Sequence, residues 1–255
     1  MSPALQFVIS ALVGAVGSGL NAVAGGGSLV TFPYLNVGLG LPSVEANATN
    51  TVSLWPGSLA GGLGFGKHLE TTKKHLARLA VPTAIGSLGG AWLLLHTGKA
   101  LFNYLVPILI AVAVAALWLQ PKVKEFAQKR QAEPKPMTGI LLQFLVAIYG
   151  GYFGAGMGMM MLGAFAVTMD ADIHAMNAVK NYLGTIINLV AAVYFLGSHV
   201  VSVPIALTLA VGSVVGGFAG ARLSQKVDTE KLRIAICIYG TAMVLFFAYR
   251  AIFVR

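Results

Sequence analysis

The chain has 255 residues, 57% of them hydrophobic and 10% charged, with a mean hydropathy of +0.80. A soluble domain carries about 25% charged residues, so this composition excludes a water-soluble fold and points to a polytopic membrane protein. The net charge of +9 would suit a nucleic-acid partner, but thirteen of the seventeen Lys and Arg fall in three clusters between apolar stretches, which excludes a continuous basic face.

In chain order, near-continuous apolar stretches cover residues 4–38, 45–66, 77–96, 100–119, 138–169, 174–197, 202–221 and 232–253. Six of them run 20 to 24 residues, the length a helix needs to cross roughly 30 Å of hydrocarbon. The stretches 4–38 and 138–169 are too long for one crossing, and each is broken by glycines: Gly25-Gly26-Gly27 in the first, Gly154-Ala-Gly156-Met-Gly158 in the second. Each is therefore expected to be a helix and a shorter half-helix folded into a hairpin.

A shift of 130 residues superimposes Asn47 on Asn177, Gly86 on Gly216, Gly90 on Gly220 and Ala91 on Ala221, the mark of an internal duplication. The basic clusters are Lys67 to Arg78, Lys122 to Lys135 and Arg222 to Arg233. Hairpins place all three on the cytoplasmic side, in keeping with short Lys/Arg-rich loops staying inside. A hairpin plus three crossings is an odd number of traversals, so the second half must be inverted relative to the first. The expected architecture is an all-α polytopic membrane protein of two inverted repeats, residues 1–120 and 137–255. Residues 121–136 form a cytoplasmic linker, and both termini are external. The N-terminal stretch lacks a basic n-region and a small-residue cleavage site, so it is taken as the first hairpin arm.

Glycine-broken helices at matching places in two repeats point to the substrate site of a secondary transporter. Half-helices beginning near Ser28 and Met157 would present unpaired N–H groups and positive dipole ends, which attract anions. The same glycines, spaced as Gly150-x-x-x-Gly154-x-x-x-Gly158, would also suit close helix packing. Lys180 is the one cation clearly inside an apolar span, and an intramembrane charge is a functional candidate by default. Its structural alternatives are an ion pair with Asp170 or Asp172, or snorkelling to the interface. Asn47, Asn50, Asn177 and Asn181 can donate to oxyanions or bond helices together; Asn188 is assigned to the second role. The expected substrate-binding set is Gly25, Gly26, Gly27, Ser28, Asn47, Asn50, Gly154, Gly156, Met157, Gly158, Asn177, Lys180 and Asn181.

Other apparent motifs dissolve. Gly61-x-x-x-x-Gly66-Lys67 is followed by His68 and so lacks the Ser or Thr of a phosphate loop. No acid lies deep in a span, which argues against proton or sodium coupling through a buried carboxylate. Cys237 is the single cysteine and no His pair has ligand spacing, so neither an internal disulfide nor a metal is expected. No cofactor is implied.

The Gly-rich hairpins, Pro33 after the first, Leu41-Pro42 followed by Ala46-Asn47-Ala-Thr49-Asn50, and Tyr149-Gly150-Gly151-Tyr-Phe-Gly154-Ala-Gly156-Met-Gly158 followed by Asn177-Ala-Val-Lys180-Asn181 resemble the TauE/SafE sulfite-exporter family. The resemblance covers nearly the whole chain. It implies a bacterial inner-membrane permease exporting a small sulfur-containing or organic anion of the sulfite or sulfonate class, with the lipid bilayer and that anion as its partners. A departure lies just before the first Gly triplet, where Ala22-Val23-Ala24 replaces the usual Gly-Ile/Val-Gly. The competing classes are a passive anion channel and a membrane-embedded enzyme or assembly subunit; the lack of a nucleophile or buried acid/base constellation argues against catalysis.

Overall fold

The structure, a computed structural model, describes residues 2–64, 69–129, 136–169, 171, 173–224 and 229–253. Among them there is no strand. The helices are α1 (Pro3–Ala24), α2 (Ser28–Pro33), which continues as a π-helical stretch over Tyr34–Gly38, α3 (Ser43–Gly64), α4 (Leu69–His96), α5 (Lys99–Lys129), α6 (Pro136–Tyr152), α7 (Met157–Thr168), α8 (Ile173–Gly197), α9 (Val203–Leu223) and α10 (Thr229–Phe253). Six helices, α1, α4, α5, α8, α9 and α10, carry stretches long and apolar enough to cross a membrane. The polarity of α3 keeps it out of that set, because it carries Asn47, Thr49, Asn50, Thr51, Ser53 and Ser58. All six are buried, so they meet neighbouring helices and not lipid.

Several helices outrun their apolar stretches. The linker expected at residues 121–136 begins inside α5, which runs on to Lys129; residues 130–135 lie outside the described set, as do Lys67, His68, Lys226 and Arg255. Lys122 to Lys129 are mostly strong helix formers, so the helix continues past the apolar stretch. Pro121 interrupts its hydrogen bonding without ending it. A proline has no N–H, so the carbonyl four residues earlier, that of Leu117, loses its helical donor. Arg233 of α10 supplies one, with Nη1 3.5 Å from both Leu117 O and Trp118 O, while Nη2 lies 3.8 Å from Glu230. Arg233→Met should therefore lower stability by about 1–3 kcal/mol. Pro121→Ala, which restores the N–H, should recover part of that loss. Thermal unfolding of the two single variants and the double variant in detergent checks this, and additive losses would show that Arg233 does not serve the Leu117 carbonyl.

The helices pair in a pattern that survives exchange of the two halves. α9 packs against α1 and α3, and α4 against α6 and α8; α3 meets α8, and α5 meets α10. α1 and α9 run parallel: Gly14 lies on Leu209 and Gly19 on Gly216, with backbones so close that a Cβ on Gly212 or Gly216 would strike the α1 carbonyls. α4 and α6 also run parallel, Gly86 lying on Phe144 and Gly90 on Ile148. In contrast, α3 and α8 run antiparallel, since Ser58 meets Asn188 while Gly62 meets Tyr182. α5 and α10 do likewise, with Leu117 beside Arg233 and Val114 beside Gly240.

At each glycine break the chain reverses. α1 ends at Gly25, whose φ of 76° is left-handed and whose N–H bonds back to Asn21 O and Leu20 O. α2 then returns along α1, bringing Thr31 against Gly17. α6 ends in the same way at Gly154, with φ 77° and its N–H on Tyr149 O, and α7 returns until Thr168 lies against Gly139 near the start of α6. The Tyr149 hydroxyl, 2.7 Å from Ala155 O, ties this second turn to α6.

Candidate functional site

The two reversals are buried and lie side by side. Gly25 packs on Gly158, a Cβ on either coming within 2.9 Å of the other's Cα, and the ring of Phe32 sits edge-on 5.3 Å from Phe153. The turns thus overlap and pass each other. α5 backs both, with Leu117 near Gly26 and Ala113 against Gly156. Met157 opens α7 as expected, and Gly156 (φ 72°) precedes it with no side-chain cap. Among the described residues, the N–H groups of Gly26, Gly27, Ser28, Ala155, Gly156 and Gly158 have no backbone acceptor. Such groups, buried, want an anion, a water or a side-chain oxygen.

Lys180 reaches this point from α8. It is 2% exposed, its stem lies over Gly158, and Nζ donates to Ala22 O at 2.9 Å. Ala22 is in the last turn of α1, so the ammonium meets the negative end of the broken helix. Asp170 and Asp172, the aspartates weighed as its partners, lie outside the described residues.

Beside Lys180 is a cavity of about 10 Å³, lined by Asn21, Ser58, Gly158, Lys180, Asn181 and methionines of α7. That volume holds about one water. Its polar groups are arranged as donors. Asn21 and Asn188 both aim Nδ2 at Ser58 Oγ, at 3.5 and 3.4 Å, so the serine oxygen accepts and its O–H is left to donate. Asn181 gives one N–H to Asn177 O at 2.9 Å and keeps the other. With the Lys180 ammonium and the opening turn of α7, the lining is electropositive; among the described residues it includes no carboxylate.

The remaining expected residues sit in two other places. Asn50 and Ser28 form a cluster with Thr31: Asn50 Nδ2 donates to Ser28 Oγ at 3.0 Å, and Thr31 Oγ1 donates to Asn50 Oδ1. Asn50, reaching over from α3, thereby engages the side chains at the start of α2 without capping its N–H groups. Asn47, fully buried, donates to Tyr152 O at 2.9 Å in the last turn of α6. This mirrors Lys180 on Ala22 O: each broken helix has its C-terminal carbonyl bound by a polar side chain from the opposite half. Asn177 Nδ2 turns back to Ile173 O on its own helix. Asn47→Ala should leave the Tyr152 carbonyl bare and lower stability by about 1–3 kcal/mol, read by thermal unfolding in detergent; an unchanged midpoint would remove this role.

Sequence reasoning missed Asn21 and Ser58. Both left a signal: Asn21 is one turn before Gly25, and Ser58 is 130 residues from Asn188, the residue it meets.

A model of the family described as sulfite exporter TauE/SafE matches residues 10–247. The chain belongs to the sulfite exporter TauE/SafE family. As a TauE/SafE chain it is an all-helical, multi-pass membrane protein of a transporter family, and its relatives carry names to match. A probable membrane transporter protein of Haemophilus influenzae is 25% identical over 91% of this chain and 90% of its own length. The probable membrane transporter protein YfcA of Escherichia coli K12 is 24% identical over 88% of this chain and 82% of its own. The probable membrane transporter protein ORF9 of a Sinorhizobium species is 23% identical, with 89% and 86% covered. No solved structure matches this TauE/SafE chain.

Proposed function

We propose that the protein is an inner-membrane permease that exports a small sulfur-containing or organic anion of the sulfite or sulfonate class, bound beside Lys180 at the start of α7. The observation that carries this reading is the convergence of a buried ammonium, an uncapped helix N-terminus and the Ser58 and Asn181 donors on one cavity. The anion would sit where Lys180 and the α7 dipole attract it, while Ser58, Asn181 and the Gly158 N–H orient its oxygens. With the cytoplasm negative, outward movement of one anionic charge is favoured by about 2.3 kcal/mol per 100 mV, so export needs no coupling ion.

Residues 1–120 and 137–255 are read as two inverted repeats joined by a cytoplasmic linker, with external termini. The antiparallel course of α3 against α8 and of α5 against α10 supports inversion, because these are the helices that the 130-residue shift superimposes. The cavity holds about one water, less than any sulfur oxyanion needs, so loading requires α7 and α8 to separate. This favours a carrier that changes shape over a static channel. Efflux of radiolabelled sulfite or methanesulfonate from proteoliposomes tests the site: Lys180→Gln and Gly184→Leu, which places a side chain against the Met157 and Met161 wall of the cavity, should each cut the initial rate at least tenfold, and undiminished rates in both would refute it.

A further inference from the structure

A second cavity, of about 740 Å³, opens where α5 and α10 meet the π-helical stretch after α2. Asn36, Ser43, Asn103, Tyr104, Phe247 and Arg250 line it, and none of them belongs to the Lys180 cavity. Such a volume is typical of a small-molecule site. Among the described residues its one charged group is Arg250, in the last turn of α10.

An arginine there could serve only to satisfy the C-terminal carbonyls of α10 or reach the membrane surface. The contacts argue otherwise, because Arg250 is held across the fold. Asn36, 5% exposed, has its amide nitrogen fixed by Leu41 O at 2.8 Å and Ser43 Oγ at 3.2 Å. Its Oδ1 is thereby turned towards Arg250, whose Nη1 donates to it at 3.1 Å. Asn36 lies on the π-helical turn, a local form that often marks functional positions. One arm of the guanidinium is thus anchored, while the Nε and Nη2 edge has no acceptor among the described residues. That edge is the fork that binds an oxyanion through two parallel hydrogen bonds.

The opposite face lacks this device. There the α10 arginine is Arg233, buried and already committed to Leu117 O, Trp118 O and Glu230. Under the 130-residue shift Asn36 corresponds to Ala166 and Arg250 to Gln120, so the pair exists at one end of the molecule alone.

We propose that the Asn36-anchored Arg250 guanidinium, with Ser43 and Asn103 beside it, is a second anion-binding site that takes the tetrahedral or pyramidal oxyanion of a small sulfonate, sulfate or phosphate group. Two sources carry that chemistry, a free solute anion and a phospholipid phosphodiester. The site stands independently of the one beside Lys180.

The test is equilibrium binding of radiolabelled methanesulfonate to the intact protein in a phosphate-free maltoside detergent, and again with phosphatidylglycerol added. Wild type should show Arg250-dependent binding that Lys180→Gln leaves in place and that Arg250→Gln weakens at least tenfold. Asn103→Leu, which keeps the Arg250–Asn36 pair and fills the cavity beside it, should weaken it as well, so a loss cannot be ascribed to misfolding of Arg250→Gln. If added phosphatidylglycerol displaces the probe from the Arg250 site, the phosphodiester is the occupant; if it does not, the solute anion is. Either result supports the site. Binding unchanged by Arg250→Gln both without and with phosphatidylglycerol overturns it, whatever Lys180→Gln does.

Discussion

Gly25→Val is expected to abolish transport and to lower stability by roughly 2–5 kcal/mol through two separate penalties. The first is conformational: Gly25 has φ 76°, a left-handed backbone that a β-branched residue adopts only at a cost. The second is spatial. Its Cβ would stand 2.9 Å from Gly158 Cα and 3.0 Å from Met159 N, both backbone atoms of the opposite reversal, so no side chain can swing away. Gly40→Ala separates the two effects. Gly40 has φ 73° but open space within 4 Å, so it carries the strain without the clash and should lose about 1 kcal/mol with transport intact. Proteoliposome efflux and thermal unfolding of both variants decide the matter. Equal behaviour of the two would mean that contact between the reversals is unimportant.

Lys180→Gln and Lys180→Ala should part company, because the ammonium has two duties that these changes remove in different combinations. The Ala22 carbonyl needs a donor, and a buried carbonyl left without one costs about 1–3 kcal/mol. Glutamine is shorter than lysine but keeps an N–H for that carbonyl and loses only the charge; alanine loses both. Lys180→Ala is therefore expected to be destabilised and inactive, whereas Lys180→Gln should unfold close to wild type while its sulfite efflux falls at least tenfold. A glutamine variant with full efflux would reduce Lys180 to a helix cap. Charge reversal sharpens the contrast: Lys180→Glu would bring a carboxylate up to the carbonyl end of α1, with loss of both fold and flux.

Much of the architecture was legible because membrane helices leave coarse signals. Apolar length located the spans, and the excess length of residues 4–38 and 138–169, with glycines where a reversal had to be, located the breaks at Gly25 and Gly154. The helix ends were less legible. α4 begins at Leu69 and α5 runs to Lys129, since helix formers outside the apolar stretch extend a helix regardless of hydropathy. At the site, Lys180 stood out as a lone cation, and Met157 and Gly158 as the start of a half-helix. The asparagines were harder, because an amide serves an anion or a neighbouring helix equally well. Asn47 turned to Tyr152 O, Asn50 to Ser28 and Thr31, and Asn177 to its own helix. Ser58 carried no motif of its own; its place came from meeting Asn188 across two helices.

By itself the sequence determined the class of molecule, the two glycine breaks and the position of Lys180 inside an apolar stretch, because each rests on local composition or on spacing along the chain. The tertiary structure alone decided that the reversals overlap, that Lys180 meets the end of α1 while Asn47 meets the end of α6, and that Asn36 is brought to Arg250 across 214 residues of sequence. Those facts depend on which helix faces lie together, and helix packing through small residues leaves many pairings of similar energy until the whole bundle closes.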